Sequence, residues 1–265
     1  MKATTAFATL VSAAAAASCV STTPPVTGPK TYPTTVVGGV EVINTPLVQE
    51  ARALVKKIFP NYLYKHVMRC WLFGASQIQT NATLRSMVDV EAHAMATILH
   101  DMGWDQTPGN PYVTPDNRFE VDGLNGAANI IKASPNGKDF DWWRLEQVMN
   151  GIRLHGNFYL QVSTPPTVQL IVNSIQLDNP FVTYPIANET LKAIFTEFPD
   201  TDIAAGANQT FTWLAETKPL YTYGTIEEQF GIEYVPGYSP VGHRAYDFIV
   251  NAIETNYSHW AIYAE

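Results

Sequence analysis

Six histidines are spread through the chain, and one of them, His100, is followed directly by Asp101 at the end of the apolar run "ATILHD". A lone histidine–aspartate pair at a helix end is usually a solvated cap. It gains chemical meaning only where other imidazoles and carboxylates reach the same point. His66, His100 and His155 each sit at or beside the apolar stripe of a separate helical segment, where an imidazole needs a buried partner. Asp178 ends a further apolar segment, "VQLIVNSIQLD", in the way that His100 and Asp101 end theirs. Four segments thus each offer a ligand-type residue toward what could be one point. Imidazoles and carboxylates together suit a divalent transition metal, and positions left open to water would let it do chemistry.

The segments that must position these residues read as helices almost throughout from Asn44 onward. "TPLVQEARALVKKIF" opens with Thr45 as N-cap and Pro46 at the first helical position. "NYLYKHVMRCWLFGASQI" puts Leu63, Val67, Cys70 and Gly74 on one stripe. "DVEAHAMATILHDMG" has Val88, Met95, Ile98, Leu99 and Met102 on a common face, with Gly103 as its stop. Helical spacing recurs in "FEVDGLNGAANIIKA", "DWWRLEQVMNGIRLH", "PPTVQLIVNSIQLD", "NETLKAIFTEF" and "RAYDFIVNAIE". Stretches such as "DQTPGNPYVTPDN" are too broken to be strands, and the few β-like runs, "KPLYTYGT" among them, are isolated. The pattern predicts a single all-α domain over residues 44–265, without internal repeats.

Two segments precede it. "MKATTAFATLVSAAAAASCV" has one lysine, a short alanine-rich apolar stretch and then small residues, the pattern of a secretory signal peptide over residues 1–20. Residues 21–43 begin "STTPPVTGPKTYPTT" and read as a Pro/Thr-rich linker. Glycosylation sequons at Asn81, Asn188, Asn208 and Asn256 agree with a secreted eukaryotic glycoprotein. Only Cys70 stands clear of the cleavage zone, so stability is expected from packing rather than from disulfides. The net charge of −8 argues against non-specific binding to nucleic acid or anionic membranes. A small molecule is the expected partner.

The motifs "YKHVMRCWLFG", "ILHDMGW", "RFEVDG", "RLHG" and "SIQLDNPF" occur in an order and spacing that resembles the HD-domain superfamily of metal-dependent hydrolases, most of all its fungal cyanamide hydratase-like branch. The resemblance covers roughly Asn44 to Asp200. It implies an HD-type helical bundle and one divalent ion, zinc first and iron(II) or manganese(II) as alternatives, held by His66, His100, Asp101 and Asp178. Asp122 and Asp141 compete with Asp178 for the last place. It also implies catalytic roles for Glu120, whose carboxylate would approach the activated water, for His155 facing the pocket, and for Arg69, one turn beyond the first ligand. Val67 stands where the family often has a serine, which removes a nearby hydroxyl.

Plainer roles exist for most of these residues. His155 could bond a carbonyl at its own helix end, Arg69 could pair with an acid to hold its helix, and Glu120 could be a helix-start acid favoured by the dipole. His93 reads as exposed or half-buried. His243 and His259 read as structural or surface residues, Cys70 as a small buried hydrophobe, Trp142 and Trp143 as packing, and Trp104 as a possible pocket wall.

The ligand set alone does not choose a reaction. A secreted metal-dependent hydrolase or hydratase acting on a small cyanamide- or nitrile-like molecule is the leading expectation. The candidate basic groups are limited to Arg69, Arg118 and Arg153, whereas phosphoester-cleaving sites usually add cations. A phosphohydrolase acting on nucleotides and a non-catalytic secreted scaffold with the same fold are the alternatives. A di-iron oxygenase would need more histidines after the HD pair than His155.

Overall fold

The computed structural model describes residues 31–157, 159–179 and 182–255. The expected signal peptide, the first part of the expected linker, the sequon at Asn256 and His259 lie outside these residues. The later part of the expected linker is not extended chain. It forms an antiparallel hairpin of β1 (Thr34–Val37) and β2 (Val40–Ile43), in the register Thr34↔Ile43 to Val37↔Val40. Gly38 and Gly39 both have positive φ, as a two-residue hairpin turn demands. Val37, Val40 and Val42 are buried in the core, so the folded domain begins ahead of Asn44.

Everything else regular among the described residues is helical, and the domain is all-α. The α-helices are α1 (Pro46–Ile58), α2 (Asn61–Thr80), α3 (Ala82–Met87), α4 (Val90–Leu99), α5 (Phe119–Ala133), α6 (Trp142–Leu154), α7 (Pro166–Gln176), α8 (Asn188–Glu197), α9 (Ile203–Thr217), α10 (Glu228–Tyr234) and α11 (Ala245–Glu254). Thr45 caps α1 by accepting from the Val48 amide, with Pro46 in the first turn. "KPLYTYGT" is a 3-10 turn followed by turns, not a strand, because no neighbouring chain offers it a ladder.

α4 sits at the centre. Every residue from Glu91 to Leu99 is buried, the mark of a helix surrounded on all sides. Its alanines at 92, 94 and 96 leave room for α2, α6 and α7 to pack around it, while α5 packs on α6 and on the turn that follows α4. No helix among the described residues is long and apolar enough to cross a membrane. The sequons at Asn81 and Asn188 are exposed and Asn208 is half-buried.

Candidate metal centre

α4 stops at Leu99, earlier than its apolar spacing predicts. His100 keeps helical angles as the C-cap, and Asp101 leaves the helix at φ −99°, ψ 27°. Consecutive helical residues point about 100° apart, so this break allows both side chains to turn toward one place. The corner is held by α5: a Cβ on Gly123 would lie 2.3 Å from the His100 carbonyl oxygen, so only glycine permits this approach.

Two of the histidines are oriented by the same device. His100 Nδ1 lies 3.0 Å from the Thr97 carbonyl oxygen, and His155, the C-cap of α6, puts Nδ1 2.6 Å from the Ile152 carbonyl oxygen. A carbonyl only accepts, so each Nδ1 carries a hydrogen, and in the neutral ring each Nε2 presents a lone pair. His66, on α2, donates Nδ1–H to Asp178 Oδ2 at 2.7 Å and also turns Nε2 inward.

The three Nε2 atoms meet Asp101. His66 Nε2 and His100 Nε2 are 3.1 Å apart. Asp101 Oδ2 lies 3.4 Å from the first and 3.1 Å from the second, and Oδ1 lies 3.6 Å from His155 Nε2. Lone pairs this close repel unless a cation or a proton stands between them. Asp101 is fully buried, and neither of its oxygens has a hydrogen-bond partner among the described residues. Unmet buried carboxylate oxygens facing inward-turned imidazoles fit a divalent ion. His100, Asp101 and His155 form one buried group able to hold a metal ion, and His66, Cys70 and His100 form a second that overlaps it. Burial pushes the Cys70 thiol up, which keeps it a neutral neighbour of His66.

The electrostatics are those of a coupled cluster. Burial disfavours the Asp101 charge, yet His100, His155 and His66 together hold its carboxyl well below the usual range. Burial also opposes charge on His66 and His155, but neighbouring groups, Asp101 among them, hold both imidazoles above their ordinary value. For His100 burial prevails and the shift is downward.

The other residues singled out from sequence lie around this cluster. Asp178 does not turn an oxygen toward the three Nε2 atoms. It accepts from His66 Nδ1 and takes a two-pronged contact from Arg69 (Nε 2.7 Å, Nη2 2.6 Å). Arg69 is fully buried and also donates to the Phe198 and Pro199 carbonyls, so its guanidinium is committed to holding the chain in place. Asp141 caps α6 through the Arg144 amide. Asp122 is fixed by Lys218 Nζ at 2.7 Å and by Thr114 and Asn117, which ties the loop before α5 to the end of α9. Glu120 is buried and paired with Arg118 at 2.6 Å, and a Cβ on Gly156 would lie 3.0 Å from its Oε1, so it adjoins the residue after His155. Trp104 is buried with its ring stacked 6.2 Å from that of His66.

His93 departs from its expected exposure. It is buried, with Nε2 3.2 Å from Ser174 Oγ, and Gly74 opposite it leaves the room its ring occupies. The run of small residues around it, "EAHAMA", was the available sign that this helix is buried on every face. His243 is exposed and stacks on Tyr223. Arg153 lies at the surface beside Glu146 and Asn150. Sequence reasoning missed Glu227, a buried carboxylate just before α10, because "TIEEQF" offers no motif to mark it. No protein-family model matches the chain, and no curated protein matches it either.

Proposed function

We propose that the cluster is the active site of a metal-dependent hydrolase or hydratase of HD-domain type, acting on a small nitrogen-containing molecule such as a cyanamide or nitrile. The observation that carries this reading is Asp101, buried with both oxygens unmet, facing three imidazoles whose tautomers leave Nε2 free. In this reading His66, His100, Asp101 and His155 hold the ion. Asp178 orients His66, and His155 takes the place that the resemblance gives to Asp178. A divalent ion, zinc by preference for this mixed N/O set, would supply an acidified water and a Lewis acid.

The protein's own groups do the rest. Glu120, facing Arg118, takes a proton from water and returns it to the product nitrogen. Trp104 and Phe119, packed edge to face at 5.6 Å, keep the surroundings dry. His66 and His155 are each slightly exposed, whereas His100 and Asp101 are fully enclosed, so substrate approaches on the side of the former pair. Arg69 is bound to Asp178, Arg118 to Glu120 and Lys218 to Asp122, and Arg153 is at the surface. That commitment of the cations favours a neutral or weakly charged substrate over a phosphoester.

Elemental analysis of purified protein should find about one divalent ion per chain, lost in a His100→Ala, Asp101→Ala double variant. Equal metal content in the two proteins would overturn the reading. A panel of cyanamide, simple nitriles, amides and nucleotides should show turnover among the nitrogen compounds. Turnover of nucleotides alone would replace it with a phosphohydrolase.

A further inference from the structure

Asp101 is not the only residue at the cluster with an unmet polar atom. Trp104 is 7% exposed, and its indole Nε1–H has no acceptor among the described residues. Buried indole N–H groups ordinarily find a partner, so one left unmet calls for an explanation. Ring contacts place Trp104 at the site. Its ring lies parallel to that of His66, with centroids 6.2 Å apart. It meets Phe119 edge-on at 5.6 Å, Phe119 in turn meets His155 edge-on at 5.5 Å, and Phe211 closes a further side at 5.0 Å. The backbone fixes Trp104 relative to Asp101, because its amide donates to the Asp101 carbonyl at 2.9 Å across the 3-10 turn Met102–Trp104.

Two acceptors and one donor, all buried, thus lie unmet on residues around His66, and they do not satisfy one another. A divalent ion held by the imidazoles satisfies the Asp101 oxygens, but a cation cannot accept from an N–H. Phe119 and Phe211 offer only the faces of their rings, which are weak acceptors. An ion together with a small molecule that brings its own acceptor atom meets all three.

We propose that Trp104 donates its indole N–H to an acceptor atom of the small molecule bound beside the ion, a carbonyl oxygen of the amide class. This rests on the reading of the cluster as a metal site for a small nitrogen compound, and it adds the group that holds the oxygen end. Hydration adds the elements of water across a carbon–nitrogen triple bond and yields an amide. A carbonyl oxygen is therefore the acceptor that the reaction leaves in the site.

The indole N–H signal of ¹⁵N-labelled protein reports this donor directly, and its disappearance in Trp104→Phe identifies it. Acetamide added to zinc-saturated protein should move that signal downfield. Trp104→Phe should retain zinc and bind acetamide about tenfold more weakly in titration calorimetry. A signal that stays in place while acetamide binds would overturn the proposal, since a buried water or a phenylalanine face would then hold the N–H. So would an affinity in the variant within about twofold of wild type, or no acetamide binding at all. Should Trp104→Phe fail to fold, replacing Trp104 by benzothienylalanine keeps both rings, exchanges the N–H for sulfur and makes the same comparison. The two readings fail separately. A signal moved by acetamide in protein that takes up no zinc overturns the metal reading alone. Bound zinc with an unmoved signal overturns this one alone.

Discussion

Asp178→Asn tests whether this carboxylate is a metal ligand or the residue that orients one. Asp178 accepts from two donors at once, His66 Nδ1–H at 2.7 Å and the Arg69 guanidinium at 2.6 and 2.7 Å. Asparagine has the same shape but offers one acceptor and one N–H₂ group, so it must turn a donor toward one of those donors. Removing one partner of a buried ion pair costs about 3–5 kcal/mol. Arg69 keeps its bonds to the Phe198 and Pro199 carbonyls, which places the loss near the lower end, about 3 kcal/mol. In urea unfolding of the metal-free protein that loss should move the midpoint down by about 1–2 M. Losing an orienting partner typically weakens metal binding about 10- to 100-fold without abolishing it. Zinc titration against a competing chelator should therefore give a weaker site that still holds one ion. Complete loss of zinc with little change in metal-free stability would refute the reasoning and make Asp178 a ligand.

Glu120→Gln should leave zinc content unchanged and the chain folded, at some cost in stability from the Arg118 pair, while kcat on cyanamide or another substrate that turns over falls at least about a hundredfold, and full activity would return Glu120 to the role of a helix-start acid. Lys218→Met removes the partner of buried Asp122 and should cost about 3 kcal/mol in chemical unfolding, with faster amide exchange in the loop from Thr107 to Asn117; unchanged exchange there would show that the pair does not anchor the loop. Burial lowers the His93 imidazole from 6.5 to about 3, so the folded state resists a proton that the unfolded chain accepts below pH 6.5. That contribution is complete about a unit above pH 6.5 and declines as pH falls toward 3, by about 1.6 kcal/mol between pH 6.5 and 5. Unfolding curves of metal-free wild type and His93→Gln should diverge by that amount over the interval, and parallel curves would refute it.

Much of the helical framework could be read from the chain because helix signals are local. Thr45 and Pro46 start α1, and the apolar spacing of "FEVDGLNGAANIIKA" coincides with α5. The hairpin was hidden because Val37, Val40 and Val42 follow a Pro/Thr tract and alternate over too few residues to stand out. α9 was hidden too: Gly206, Asn208 and several threonines dilute its periodicity, and packing on α2 and α10 compensates. The residue types of the site were legible, since an imidazole on an apolar stripe needs a partner. Their division into those facing inward and those behind was not. Asp178 and His155 end similar apolar helices, and only the three-dimensional arrangement puts Arg69 behind the first and Asp101 before the second.

His100 and His155 each anchor the outer nitrogen of their ring to a carbonyl of the preceding helical turn, a partner that every amino acid carries. Substitution at Thr97 or Ile152 does not delete that oxygen, so the aim of these two rings is insulated from mutation in a way that His66, dependent on the Asp178 side chain, is not. Sequence drift or laboratory evolution can therefore change the residues packed around the cluster, Trp104 and Phe119 among them, while two of the three imidazoles stay on target. A library built on the proposed activity should keep α4 and α6 intact through His100 and His155 and place its diversity at the aromatic residues around them, such as Phe119, which meets His155 edge-on.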